Sequence, residues 1–410
     1  MKQYVIVGNG AAAAGCMEGI RSRDPEGAVT VISLESHPVY CRPLISYYLE
    51  GKTSPERMNY RDADFYERMN CRVLYGRKAE HIQPEEHTVE LDDGSVLPWD
   101  ALCIAAGSSP LIPTFEGIET VAQKYSFMTL DDALALEQAL RPDSRVLIVG
   151  AGLIGLKCAE GICGRAAEIT VCDLADRVLS SILDSDGAAL MQAHLESHGI
   201  RFLLSDTAVR FDGSTAIMRS GAEVSFDVLV LAVGVRANTQ LIREIGGEVN
   251  RGIIVNTRME TSVPGIYAAG DCAEGMDISL GQNRVLAILP NAVMQGRTAG
   301  ENMAGGNAVF DRGMPMNAIG FFGLHAMTAG TYSGEVYEER TDHSLKRLFT
   351  EGDLLKGFLL IGCQERAGIY TAMIRDRTPL SSVDFEWMKK GATTAAFPAD
   401  IRGKKFGGVV

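Results

Sequence analysis

What this 410-residue chain lacks sets the first limits on it. No run of about 18 apolar residues occurs, so no membrane-spanning helix is expected. The nine cysteines are odd in number and include no Cys-x-x-Cys pair, which argues against a disulfide scaffold and against a zinc ribbon. Basic residues are scarce: 39 Lys plus Arg against 52 Asp plus Glu give a net charge of −13. Such a chain repels nucleic acid and anionic bilayers on average, while a basic protein partner or a locally basic pocket remains compatible. The seven histidines are scattered. His194 and His198 stand four apart, a metal-competent spacing, but no third ligand is near and no metal is expected.

What is present is ordinary globular usage, 46% hydrophobic and 22% charged, with a length prior of two or three domains. The Met1–Cys16 stretch is broken by Asn9 and by glycines, so it reads as a strand and a glycine loop rather than a leader. Together with the unpaired cysteines this describes a reduced, cytoplasmic protein.

The 44 glycines fall at the ends of short apolar runs. Tyr4–Val7 reads as a buried strand, followed by Gly8-Asn9-Gly10 and an alanine-rich helix; Ala28–Leu34 is the next strand, ending at Glu35. The unit returns as strand Arg145–Val149, loop Gly150-Ala151-Gly152-Leu153-Ile154-Gly155, helix Leu156–Cys163 and strand Glu168–Cys172, ending at Asp173. Three more strand-like runs end in glycine: Ala101–Ala106, Val228–Val233 and Gly265–Ala269. Ser126–Leu140 reads as a helix with Thr129 as N-cap, and Leu183–Gly199 as an amphipathic helix. From about Phe310 aromatic residues sit among short strand-like pieces, suggesting a separate α+β domain with an exposed or partner-ordered Lys- and Gly-rich tail over Ala396–Val410.

Gly8-x-Gly10-x-x-Ala13 and Gly150-x-Gly152-x-x-Gly155 each follow a strand and open a helix. In that context the first glycine makes the tight turn and the second admits a pyrophosphate. The third small residue lets helix and strand pack closely, and the helix N-terminus faces the negative charge. Glu35 and Asp173 end the second strand of each unit, placed to accept hydrogen bonds from an adenosine ribose. Two cradles imply two dinucleotides, and a flavin with a nicotinamide is the usual pairing. A carboxylate at Asp173 repels a 2′-phosphate and favours NADH over NADPH, although Arg177, four residues on, is placed to receive that phosphate.

Further runs resemble the pyridine nucleotide–disulfide oxidoreductase superfamily, specifically its FAD- and NADH-dependent flavoproteins. Ala105-Ala106-Gly107-Ser108-Ser109-Pro110 is similar to the family's ATGxxP turn, with Ala106 in place of Thr, and Ala232–Asn238 looks like its second copy. Thr261–Asp271 resembles the second FAD motif, and Pro290–Gly296 the helix under the flavin's pyrimidine end, whose N-terminus stabilises charge on the reduced ring. The resemblance implies FAD contacts from Gly8, Gly10, Ala13, Glu35, Arg42, Pro43, Ala79, Ala106, Gly107, Gly270, Asp271, Asn291 and Ala292. It implies NAD contacts from Gly150, Gly152, Leu153, Ile154, Gly155, Asp173, Arg177 and Gly234. The fold implied is α/β, with two Rossmann-like, three-layer nucleotide-binding domains. An NAD(H) domain, 112–235, is inserted in an FAD domain, 1–111 and 236–309, and an α+β C-terminal domain, 310–410, serves a homodimer or a partner.

The Tyr40–Gly51 segment resembles the ERPPLSK loop of ferredoxin-type and rubredoxin reductases and of the nitrite reductase large subunit. There the resemblance implies a Lys near flavin N5, paired with a Glu just after the NADH glycine motif; here Tyr47 takes the Lys position and Lys157 the Glu position. Lys157 is therefore expected at the flavin–nicotinamide junction, where a unit charge about 4 Å away is worth at most ~4 kcal/mol at an effective dielectric of 20. Cys41 is the candidate redox thiol, and the neighbouring Arg42 is expected to lower its pKa. Against that role, the next cysteine is Cys71, and aligning Tyr47-Tyr48 with single-cysteine coenzyme A disulfide reductases puts Pro43 at the Cys position. His37 is expected in a loop or near adenine, and His325 near the flavin from a partner.

The resemblance implies hydride transfer from NADH to flavin and onward passage of single electrons to a small iron–sulfur or rubredoxin-like carrier. Docking of an acidic carrier needs a basic patch, for which Lys346-Arg347, Arg375-Asp376-Arg377 and Lys389-Lys390 are the candidates. The competing readings are a CoA-disulfide or polysulfide reductase using Cys41, an NADH oxidase, and a redox-sensing scaffold that changes partners on binding NADH.

Overall fold

The computed structural model describes residues 1–405. The chain forms two compact units. One comprises Met1–Asp176, Gly199–Asp277 and Gln282–Gly313; the other comprises Arg177–His198, Ile278–Gly281 and the chain from Met314 onward.

The first unit contains two five-stranded parallel sheets. In one, the strand order is Ile266–Ala268, Ala101–Ile104, Gln3–Val7, Ala28–Ser33, Cys71–Tyr75; in the other, it is Ile200–Leu204, Glu168–Asp173, Arg145–Val149, Val228–Leu231, Lys124–Tyr125. Each central strand is buried almost along its whole length, as β-branched runs in a sheet covered on both faces must be. Each sheet carries a three-stranded antiparallel meander, Ala79–Gln83 with Thr88–Leu91 and Val96–Pro98, and Ala208–Asp212 with Thr215–Met218 and Glu223–Ser225. The duplication read from the glycine loops is thus a duplication of whole layered units. A two-stranded ribbon of Ser108–Pro110 against Val235–Ala237 joins them.

Local chemistry sets the element ends. The Leu130–Ala139 helix starts at a capping box: Thr129 Oγ1 accepts from Asp132 N, and the Asp132 carboxylate accepts from Thr129 N. The expected strand Ala101–Ala106 pairs only to Ile104. Ala105 still donates its N–H to Val7 O at 2.8 Å, and the chain then leaves the ladder beside Gly8, where the Ala105 carbonyl lies 2.1 Å from the position of a Gly8 Cβ. The expected helix Leu156–Cys163 begins earlier, as Leu153–Ile162, because extended Gly152 already serves as its N-cap.

In the second unit, the antiparallel sheet runs Met316–Phe321, Leu324–Gly330, Leu354–Ile361, Leu345–Glu351, Glu335–Arg340. The Ala367–Arg375 helix lays Tyr370 and Met373 on its Phe358 and Leu360 face. Ser185–Ser197 is the expected amphipathic helix, begun by the Asp184 carboxylate accepting from Gly187 N at 2.9 Å. The stretch expected as a tail contains a helix, Ala399–Lys405, while residues 406–410 lie outside the described residues. Among the described residues, no helix is long and apolar enough to cross a membrane.

Candidate functional site

Both glycine loops have the same construction. Gly8 and Gly150 lie at φ +108° and +118°, a conformation other residues rarely adopt, with the carbonyls of Ala105 and Ala232 packed 2.1 and 2.2 Å from where a Cβ would stand. Gly10 and Gly152 follow, and a Cβ on either would meet nothing within 4 Å. They are the N-caps of the Ala11–Arg21 and Leu153–Ile162 helices; neither helix has a side-chain cap or an acidic residue in its first turn. Open space beside uncapped helix N–H groups is what a pyrophosphate requires. Ala13 is fully buried, and a Cβ at Gly155 would lie 2.0 Å from Gly150 O, so the third small position is steric in both copies.

The acids at the strand ends are held in unlike ways. Glu35 accepts from Arg42 Nη2 at 2.6 Å and from Tyr40 OH at 2.7 Å. Burial pushes the Tyr40 phenol pKa up, against the pull of Arg42. Asp173 accepts from Ala151 N at 2.6 Å and from Ala175 N at 2.8 Å, tying the second strand to the glycine loop. Arg177 lies in the other compact unit, where its Nε donates to Leu183 O at 3.5 Å. Burial pushes the Asp271 carboxyl up, and the Arg42 charge opposes it. Gly270, at φ +80°, donates its N–H to Gln295 Oε1 at 2.8 Å. Gln295 shares the Leu289–Met303 helix with Asn291 and Ala292, both buried. Gly107 and Gly234, at φ +63° and +118°, flank the connecting ribbon, where Asn238 donates through Nδ2 to Ala106 O at 2.8 Å. Ala79 is buried and begins a meander strand.

The Arg42–Leu44 turn and the Ile45–Leu49 helix carry the flavin-loop candidates. Cys41 N donates to Met58 O at 2.8 Å, and burial pushes its thiol pKa up. The expected activation by Arg42 is not found: that guanidinium faces Glu35 and Met128 O instead, so the residue next in sequence does not serve the thiol. None of the nine cysteines is in a disulfide. Tyr47 and Lys157 are brought together, with Lys157 Nζ 4.8 Å from the ring centroid. Lys157 also pairs with Glu160, three residues on along the same helix. Lys52 Nζ lies 5.6 Å from the same ring and pairs with Glu50. Glu160, Glu50 and Lys52 belong to no motif in the sequence; the one signal there is the i, i+3 spacing of Lys157 and Glu160 within an otherwise apolar helix.

The histidine candidates make the following contacts. His37 pairs with Asp131 Oδ1 at 2.8 Å. His194 contacts Phe321 O at 2.9 Å, and His198 stacks on Phe322 with centroids 4.3 Å apart. His325 lies against Gly320 on the neighbouring strand. Among the described residues, no group of three His, Cys, Asp or Glu is arranged to hold a metal. The expected basic patch is largely neutralised. Arg347 is held by Asp184, Asp186 and Glu338, and Lys346 is buried against Glu339. Arg375 pairs with Asp376, and Lys389 with Glu386. Sequence counted the cations but not the carboxylates that the fold returns to them.

Two parallel layered units, each with a glycine turn, an uncapped helix N-terminus and an acid at the next strand end, define a fold for two adenine dinucleotides. The chain belongs to the pyridine nucleotide-disulphide oxidoreductase family, whose model matches residues 2–296. It is 32% identical over 394 residues to the epsilon subunit of NADH-dependent phenylglyoxylate dehydrogenase of Aromatoleum evansii, covering 92% of this chain and 93% of that one. It is 29% identical to nitrite reductase [NAD(P)H] of Bacillus subtilis; that match covers 93% of this chain but spans about half, 48%, of the relative. The fold superposes on the covalent putidaredoxin reductase–putidaredoxin complex with a TM-score of 0.88 at 24% identity, covering 96% of this chain and 99% of that chain. The protein is an NAD(P)H oxidoreductase of an FAD-dependent family, as the sequence resemblance implied, and the open space at Gly10 and Gly152 beside uncapped helix N-termini fits those two groups.

Proposed function

We propose that this chain takes electrons from NADH through FAD and delivers them, one at a time, to a small iron–sulfur or rubredoxin-like carrier. The observation that carries this over a thiol-based reaction is Cys41: burial raises its pKa, Arg42 is turned away from it, and Arg42 pairs with Glu35 instead. Without an activated thiol beside the flavin loop, electrons leave directly to an external acceptor. The name of the Aromatoleum relative, an NADH-dependent subunit matched over 93% of its length, supports an electron-delivery role within a larger assembly.

In this reading residues 1–111 and 236–309 hold FAD, 112–235 hold NADH, and 310–410 serve a partner or a second copy. Gly8, Gly10 and Ala13 seat the FAD pyrophosphate, Glu35 its ribose, and Asp271 with Asn291 and Ala292 its ribitol and ring end, with Arg42, Pro43, Ala79, Ala106, Gly107 and Gly270 completing the wall. Gly150, Gly152, Leu153, Ile154 and Gly155 seat the NADH pyrophosphate, with Gly234 opposite. Asp173 selects against a 2′-phosphate, and Arg177, four residues on, is the group placed to receive one. When bound, FAD supplies two-electron acceptance from a nicotinamide and one-electron release. Lys157 and Tyr47 shape the wall between the two sites.

The test is anaerobic stopped-flow mixing of the purified yellow protein with NADH or NADPH, followed by ferredoxin, rubredoxin, CoA disulfide or dioxygen. The expected result is faster bleaching by NADH and fastest reoxidation by an iron–sulfur or rubredoxin carrier, unchanged in Cys41→Ser. Reoxidation by CoA disulfide alone, lost in Cys41→Ser, overturns it, as does reoxidation by dioxygen alone.

A further inference from the structure

We infer that Glu160 is a positioning residue that holds Lys157 against Tyr47 and cancels most of its charge, so that the carboxylate sets how strongly this wall favours the reduced flavin. The inference rests on the proposed FAD site and concerns only how this chain's own residues face it.

The Lys157 side chain is 17% exposed and that of Glu160 only 5%. An ammonium buried to that degree needs a counter-charge, and removing one member of a buried pair leaves the other uncompensated. The two residues sit three apart on the Leu153–Ile162 helix, so they share one face and the pairing needs no movement of another element. From a second element, the Tyr47 ring of the Ile45–Leu49 helix meets the ammonium, its centroid 4.8 Å from Nζ. Lys157 is therefore directed from two elements: its own helix through Glu160, and the flavin loop through an aromatic ring. The Lys52–Glu50 pair meets the same ring and is also neutral in sum. The Glu160 field reaches Lys52 as well, adding to the Glu50 hydrogen bond that raises the Lys52 pKa.

A bare cation beside a flavin favours the reduced, more negative form. A neutral pair presents a dipole instead, whose effect at a given distance is much weaker than that of a single charge. The large tuning expected of an isolated Lys157 therefore does not follow from this arrangement. The signs for the variants do. Removing the carboxylate takes a negative charge from beside the cation and raises the flavin midpoint potential. Removing the lysine leaves a buried carboxylate and lowers it. Removing both restores neutrality and returns the potential close to wild type.

The experiment is an anaerobic, dye-coupled titration of the midpoint potential at pH 6.5 on the holoprotein, for wild type, Glu160→Gln, Lys157→Met and the double variant, with Glu160→Asp as the conservative rescue. Thermal unfolding of each apoprotein is measured in parallel. Expected are a higher potential for Glu160→Gln, a lower one for Lys157→Met, near wild-type values for the double variant and Glu160→Asp, and lower apoprotein melting for each single variant than for the double. A yellow wild type whose potential is unchanged or lowered in Glu160→Gln overturns the inference alone. If Glu160→Gln does not fold, a double variant as displaced as Lys157→Met overturns it equally. A wild type that holds no flavin overturns the functional reading, and this inference with it.

Discussion

Asp173 commits both carboxylate oxygens to backbone N–H groups, of Ala151 and Ala175, and ends the second strand of its unit with a negative charge. Its charge, more than its geometry, is what a 2′-phosphate would meet. Asp173→Asn keeps one acceptor and removes that charge, so the NADH:NADPH ratio of kcat/KM is expected to fall by about tenfold or more, each tenfold being about 1.4 kcal/mol. Steady-state kinetics with both nucleotides checks it, and an unchanged ratio would move the discrimination elsewhere. Cys41 gives the complementary case. Its raised thiol pKa predicts slow alkylation by iodoacetamide at pH 7.5, and Cys41→Ser should leave NADH-dependent dye reduction within about twofold of wild type.

At the scale of elements, the same glycine type has opposite costs at two neighbouring places. The Ala11–Arg21 and Leu289–Met303 helices cross so closely that a Cβ at Gly296 would lie 1.9 Å from Ala12 O, and one at Gly300 would lie 2.1 Å from Cys16 O. Gly296→Ala must push the helices apart, and an expected loss of more than about 4 kcal/mol places it among the severe substitutions. At Gly10, where a Cβ meets nothing, Gly10→Ala is expected to leave apoprotein stability within about 0.5 kcal/mol while the protein purifies with far less flavin. Thermal unfolding beside the ratio of 450 nm to 280 nm absorbance separates the two. Gly10→Ala protein with full flavin content would remove that glycine from the phosphate site. A milder effect is expected at the start of the Leu130–Ala139 helix, where Thr129→Ala breaks the capping box at a cost of about 1 kcal/mol, read from a urea titration.

At the scale of the molecule, burial of thiols ties stability to alkaline pH. The Cys172 thiol is pushed up to about 11 and the Cys272 thiol to about 12, in both cases mainly by burial. Unfolded, each ionises near its ordinary value of about 8.5, so the folded state holds protons that the unfolded state releases. Their contribution is complete below about pH 8.5 and is lost as pH rises toward the folded values, at roughly 1.4 kcal/mol per pH unit for each thiol. Urea midpoints should therefore fall between pH 8.5 and 10.5, and Cys172→Ala should flatten that fall. A pH-independent midpoint in this range would show that the thiols ionise alike in both states.

The layered architecture, the two cradles and their order were legible because strand, glycine turn and helix are local: residues within about 30 positions fix Gly8 to Glu35, and again Gly150 to Asp173. What the sequence determined by itself was the kind of ligand two such units can seat. Only the tertiary structure decided which charges act. It turned Arg42 from its neighbour Cys41 to Glu35, enclosed Arg347 among three carboxylates, and brought Lys52 and Lys157 to the Tyr47 ring with Glu50 and Glu160 as their partners. A charge acts through its distance to other charges and its burial, and both depend on residues tens to hundreds of positions away that no local pattern records.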